Sequence, residues 1–157
     1  MGWRVGYIAF PEDGPVGEQL DKVQDTIPIC PTQISMQMAL GAVSAGRDWV
    51  AERVQMLEAN RAAMLDALSP LGTLGNGIAG GEGAIYLWGK LPSGCEDDQR
   101  VMKWLVDKHR VCIIPGSSCG CPGYIRAAYA NLEPHVCKEA AQRLKAGLQD
   151  LVGNGMH

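Results

Sequence analysis

Residues 111–130 read VCIIPGSSCGCPGYIRAAYA: two apolar runs on either side of a loop of glycine, serine, cysteine and proline. VCIIP reads as a short buried strand, GSSCGCPG as a tight loop, and YIRAAYA as a second strand. Strand alternation puts Tyr124, Arg126 and Ala128 on one face and Ile125, Ala127 and Tyr129 on the other. Arg126 therefore stands mid-strand with no acid inside its own element. A guanidinium cannot shed its charge, so it needs an anion, and a carboxylate matches its planar fork best. It can instead pair across the sheet with an acid from elsewhere, or reach the surface along its stem. Pattern leaves both readings open.

Working outward, Pro134 opens a final helix with Val136, Ala140, Leu144, Leu148 and Leu151 on one face. Upstream, Asp97 and Asp98 open a helix that closes on Lys108-His109-Arg110, acids first and bases last, as the helix dipole prefers. AIYLWGKL (84–91) predicts a strand, and the glycine-rich segment Gly72 to Gly83 predicts loop and turn. A long helix from about Arg47 to Leu68 carries Val50, Val54, Leu57, Met64, Leu65 and Leu68 on one stripe, interrupted by Arg61, and ends at Ser69-Pro70. Before it, a helix from Thr32 to about Ala45 and one from Gly17 to Thr26 flank the loop IPICPT. The chain opens on MGWRVGYIAF, whose alternation from Trp3 to Phe10 predicts a largely buried strand around a lone Arg4. Arg4 poses the same question as Arg126. The class that results is α/β or α+β, with helices on a small sheet.

Composition narrows the functional classes. With 157 residues, 46% hydrophobic and 20% charged, the chain can bury a core and is not of disordered type. The net charge of -3, with acids and bases interspersed, gives no footprint for nucleic acid or an anionic membrane. No apolar run reaches membrane-spanning length, and MGWRVGYIAF has no basic lead or cleavage site of a secretory signal. Six cysteines without such a signal read as free thiols, which points to the cytoplasm or an organelle stroma. The C-x-C at Cys119 and Cys121 has no zinc-ligand spacing to a histidine, so no metal site is expected. GNGIAGGEGAIYL runs loop into strand rather than strand into helix, so it is neither a dinucleotide fingerprint nor a P-loop. Ser117 and Ser118 have no base nearby in sequence, and no self-sufficient catalytic set is found.

Four runs carry a family resemblance: GWRVGYIAFP, LDKVQDTIPICPTQISMQMAL, GGEGAIYLWGKLP and IPGSSCGCPGYIR, with GYIRAAYAN before the last helix. They resemble, in order along the whole chain, the class I/II aminotransferases of fold type I, which use pyridoxal 5'-phosphate. In finer detail they are similar to plant and algal aromatic/methionine aminotransferases. The resemblance implies that Arg4 binds the cofactor phosphate and that Arg126 binds the substrate carboxylate. Tyr86, Gly83 and Ala84 become candidates for the substrate side-chain pocket, although Tyr86 also reads as sheet packing. It implies that residues 1–45 end a large cofactor domain and that residues 46–157 form a small domain, its sheet mostly antiparallel, entered by the long helix. The cofactor lysine of the family would lie upstream of Met1, leaving this chain without a catalytic residue of its own and inactive alone. A homodimer is the implied assembly of the whole enzyme. Two alternatives share the same arginines: a lyase of the superfamily, of aminocyclopropane carboxylate synthase-like or C–S lyase type, and a catalytically inactive truncated domain.

Overall fold

The computed structural model describes residues 3–11 and 14–156. The chain divides into two compact units, Met1–Arg53 and Val54–His157. Among the described residues no helix is long and apolar enough to cross a membrane.

The first unit holds α1 (Pro15–Thr26), α2 (Gln33–Ser44) and the opening of α3 (Gly46–Leu68). Proline at the first position of α1 suits an N-terminus, where its missing N–H has no intrahelical partner. Thr32 caps α2 in an extended conformation, and its hydroxyl donates to the buried Ser35 hydroxyl at 2.7 Å. The strand expected over Trp3–Phe10 does not form: these residues are irregular and exposed, Tyr7 at 82% and Ile8 at 72%. A strand persists only where a neighbour satisfies its backbone, and the described residues of this unit contain no other strand.

The second unit is built on a five-stranded sheet, β1 (Thr73–Leu74), β2 (Gly77–Gly80), β3 (Tyr86–Lys90), β4 (Ile114–Pro115) and β5 (Tyr124–Ala128), in the order β1-β2-β3-β5-β4. All neighbours are antiparallel except β1 and β2. α4 (Asp98–His109) carries the chain from β3 to β4, and α5 (Pro134–Asn154) follows β5. The glycine-rich segment thus contains two short strands rather than loop alone. Glycine makes this possible: Gly77 has φ +93°, and a Cβ there would lie 2.3 Å from the Leu71 carbonyl oxygen. Of VCIIP, only Ile114 and Pro115 are strand, although Val111 and Ile113 are buried as expected.

The sheet is packed on one side. Leu87 and Ile125 point into a core with Leu68 of α3, Val101 and Leu105 of α4, and Leu144 and Leu148 of α5, none more than 1% exposed. Each such leucine contributes about 1.5–3 kcal/mol by leaving water. The buried stripe of α5 begins at Cys137 and Ala141, one position beyond the expected Val136 and Ala140; Val136 is 38% exposed. On α3 the expected stripe holds at Met64 and Leu68, whereas Val50 and Val54 are exposed. α4 and α5 approach closely at Gly147, where a Cβ would meet Leu105 Cδ2 at 2.5 Å. Beside that crossing Lys108 reaches Asp150 at 3.0 Å. Hydrogen bonds from Asn154 and Lys108 hold the Asp150 carboxyl down to about 2.

Asn60, 3% exposed on α3, was not anticipated as a core residue. Its Nδ2 donates to the carbonyls of Tyr129 and Leu132, at 3.0 Å each, and so ties α3 to the turn after β5. Asn60→Ala should cost about 2 kcal/mol by stranding both acceptors. Urea unfolding of the chain checks this, and an unchanged midpoint would mean the two carbonyls find other donors.

Candidate functional site

The half-buried face of the sheet, opposite the core, presents Tyr86 and Trp88 from β3 and Tyr124, Arg126 and Ala128 from β5. This is the alternation the sequence predicts for Arg126. Register fixes its neighbours: Trp88 and Ile114 lie directly opposite it, while Tyr86 pairs with Ala128 and so stands on the diagonal. The guanidinium leans to that diagonal, with Cζ 4.4 Å from the Tyr86 ring centroid.

Among the described residues the Arg126 guanidinium makes no ion pair and no hydrogen bond, and its Nε is buried without a partner. Arg61 shows the contrast. Its Nε donates to the Gly81 carbonyl at 2.9 Å and its Nη1 lies 3.3 Å from Glu58. Arg61 is a structural arginine, and Arg126 has no acid among the described residues to make it one.

The turn before β3 is held firmly. Besides the Arg61 bond, the Tyr129 hydroxyl donates to the Ala84 carbonyl at 2.9 Å and the Tyr129 N–H donates to Ile85 O at 3.2 Å. Ala84 adopts φ +56°, a left-handed conformation that these bonds sustain. Gly83 is exposed on this turn and borders a cavity of about 220 Å³ shared with Leu57, Arg61 and Tyr129. Neither Arg126 nor Tyr86 lines that cavity. The structure therefore brings Tyr86 and Arg126 together and sets Gly83 apart from them.

The loop that delivers Arg126 hangs on a residue that the sequence marks only as a helix-opening acid. Asp98, 1% exposed, accepts from the Ser117 hydroxyl at 2.6 Å, from Ser117 N–H at 2.9 Å and from Gly123 N–H at 3.0 Å. Both ends of the loop 116–123 are thus fastened to the first turn of α4. Its neighbour Asp97 does the expected work, capping the helix by accepting from Arg100 N–H at 3.0 Å.

In the first unit Arg4 is exposed and has no ion-pair partner among the described residues. It borders an open depression of about 590 Å³ with Trp3, Val5 and Gly6. All six cysteines are free thiols, and burial pushes those of Cys95 and Cys137 up. Among the described residues no group of three His, Cys, Asp or Glu side chains is placed to hold a metal ion.

A sheet whose cation has no acid partner among the described residues is equipped to receive a small anionic ligand. The family description "Aminotransferase class I and II" matches residues 1–144. Over 158 residues the chain is 46% identical to the aromatic aminotransferase ISS1 of Arabidopsis thaliana, covering 99% of this chain and 39% of that protein. It is 28% identical to an aspartate aminotransferase of Rhizobium meliloti, covering 96% of this chain and 38% of the relative. A crystal structure from Silicibacter pomeroyi matches 94% of the chain with a TM-score of 0.71 at 27% identity, using 39% of that chain. The fold is also that of an aromatic aminotransferase from Pyrococcus horikoshii, with a TM-score of 0.64 over 85% of this chain and 36% of that one. The chain belongs to the class I and II aminotransferase family. It spans about two fifths of the length of the curated relatives it matches.

Proposed function

We propose that this chain is the C-terminal portion of a pyridoxal 5'-phosphate-dependent aminotransferase that passes the amino group of an aromatic amino acid or methionine to a 2-oxo acid. The observation that carries the reading is Arg126, a strand-borne guanidinium with no acid partner among the described residues. An amino acid and a 2-oxo acid share one recognisable group, the carboxylate, and the fork of Arg126 suits it. Gripping that group orients the bonds at the substrate α-carbon. Family membership supports transamination, and the name of the Arabidopsis thaliana relative supports the aromatic donor. Methionine rests on the sequence resemblance alone.

The residues present fit the cofactor at one point. Arg4 is an exposed cation without an ion pair among the described residues, open to a phosphate. When bound, pyridoxal 5'-phosphate supplies the electron sink that labilises a bond at the substrate α-carbon. We assign residues 1–45 to the end of the cofactor domain, residues 46–157 to the small domain, and the cofactor-bearing lysine to sequence outside this chain. Gly83 is read as a wall at the side-chain end of the substrate, on the family resemblance and on the cavity it borders. Tyr86 joins the site through its contact with Arg126. The whole enzyme is read as a cytoplasmic homodimer, on the family resemblance and the free cysteines.

The test is to incubate the complete protein with phenylalanine, tyrosine or methionine and a 2-oxo acid. Each donor should yield its own 2-oxo acid in step with amination of the acceptor. Ammonia release with C–S cleavage, or ring closure without amination of the acceptor, would replace the reading with a lyase. Absence of turnover with every donor would leave an inactive domain.

A further inference from the structure

We propose that Tyr86 is a positioning residue that holds the guanidinium of Arg126 by its face and so keeps the fork free for a carboxylate; this rests on the reading of Arg126 given above. An arginine can be fixed in two ways. An acid fixes it through the in-plane N–H groups, which then have no capacity left for a ligand. An aromatic ring fixes it through the face of the guanidinium plane, and the N–H groups around its edge stay available.

The position of the cation over the ring fits the second arrangement. Cζ of Arg126 lies 4.4 Å from the Tyr86 ring centroid. Among the described residues no carboxylate or carbonyl engages the guanidinium, and Nε is buried with no partner. An unsatisfied buried N–H is costly, so something must compensate for drawing this side chain inward. The ring does so as the cation's stacking partner. Trp88 stands directly opposite Arg126, and the guanidinium lies over the ring of the diagonal Tyr86. Tyr86 is itself well placed to serve as a fixed surface. It begins β3 immediately after the turn that Arg61 and Tyr129 pin through Gly81, Ala84 and Ile85.

The proposal separates Tyr86 from a wall of the substrate side-chain pocket. A wall would discriminate among donors by side chain. A holder of Arg126 acts on every carboxylate substrate alike and on none that lacks the group.

Steady-state kinetics of the complete holoenzyme test this with phenylalanine and with phenethylamine, its decarboxylated counterpart. Tyr86→Leu should raise KM for phenylalanine by about 5- to 30-fold, the span of a cation–π contact at this depth, with kcat changed less. Tyr86→Phe, which keeps the ring, should restore KM to within about 3-fold, and Tyr86→Leu should affect the amine far less than phenylalanine. Equal losses for acid and amine, or failure of Tyr86→Phe to rescue, would overturn the proposal. Arg126→Lys separates it from the underlying reading. A carboxylate-selective loss in Arg126→Lys without one in Tyr86→Leu sinks only the role of Tyr86. No selective loss in Arg126→Lys sinks the reading itself. A second measurement needs no variant to fold: in the chain as it stands, the Nε–Hε resonance of Arg126 should be displaced by the ring current of Tyr86. A resonance at the position of a solvated arginine would equally overturn the contact.

Discussion

Arg126→Lys in the complete enzyme is expected to lower kcat/KM for amino acid donors by at least ~10-fold while leaving the melting temperature of the protein unchanged. Lysine keeps the charge but loses the two-pronged, planar set of donors, and a charge-assisted pair of that kind contributes about 1.5–3 kcal/mol. Arg126→Ala removes the charge as well, and the loss should extend toward ~150-fold, the upper end of the same range. Cofactor binding should persist in both, because the phosphate is assigned to Arg4. The sequence also allowed a structural salt bridge. That would be signalled by a lowered melting temperature and by equal losses on acid and amine substrates. Among the described residues the structure offers no acid for such a bridge, which is why stability is expected to hold.

The second large effect falls on stability. Asp98→Ala should destabilise the chain by about 3 kcal/mol, because it strands two half-buried N–H groups and one hydroxyl that converge on a single buried side chain. For a chain of this size that is a fall in melting temperature of ~6–12 °C. Asp98→Asn should recover only part of it, since an amide keeps one acceptor oxygen but turns an NH₂ group toward donors. Amide exchange gives the site-specific check: Ser117 and Gly123 should lose protection before β3 does. Retained protection at both in Asp98→Ala would show that the loop holds without its clip.

How far the sequence could be read depended on whether a signal was local. β3, α4, β5 and α5 each announce themselves by periodicity, caps or alternation within the element, and the face carrying Arg126 followed from alternation alone. Trp3–Phe10 has the same alternation, yet alternation describes a strand only when a second strand lies beside it. The glycine-rich segment failed in the other direction. Glycine lowers strand propensity, but three tight backbone approaches there, at Gly72, Gly77 and Gly80, require it, and the short strands follow from those approaches. Asp97 and Asp98 are indistinguishable as letters at a helix start. Only the fold turns one outward to cap the helix and the other inward to fasten a loop. The pairing of Tyr86 with Arg126 was illegible for a related reason: α4 and β4 intervene, and register between β3 and β5 exists only once the sheet has formed.

The two outermost strands of the sheet, β1 and β4, are two residues long, against five each for β3 and β5. Pro115 removes one of the two amides β4 could offer. An incoming segment from another molecule would therefore find almost no backbone to dock on at either margin. Of the long central strands, β3 lies between β2 and β5, while on its outer side β5 is covered by β4 at Ile125 and Arg126. The margins of the sheet are thus blunted by the shortness of β1 and β4 and by Pro115, which disfavours growth by addition of further strands.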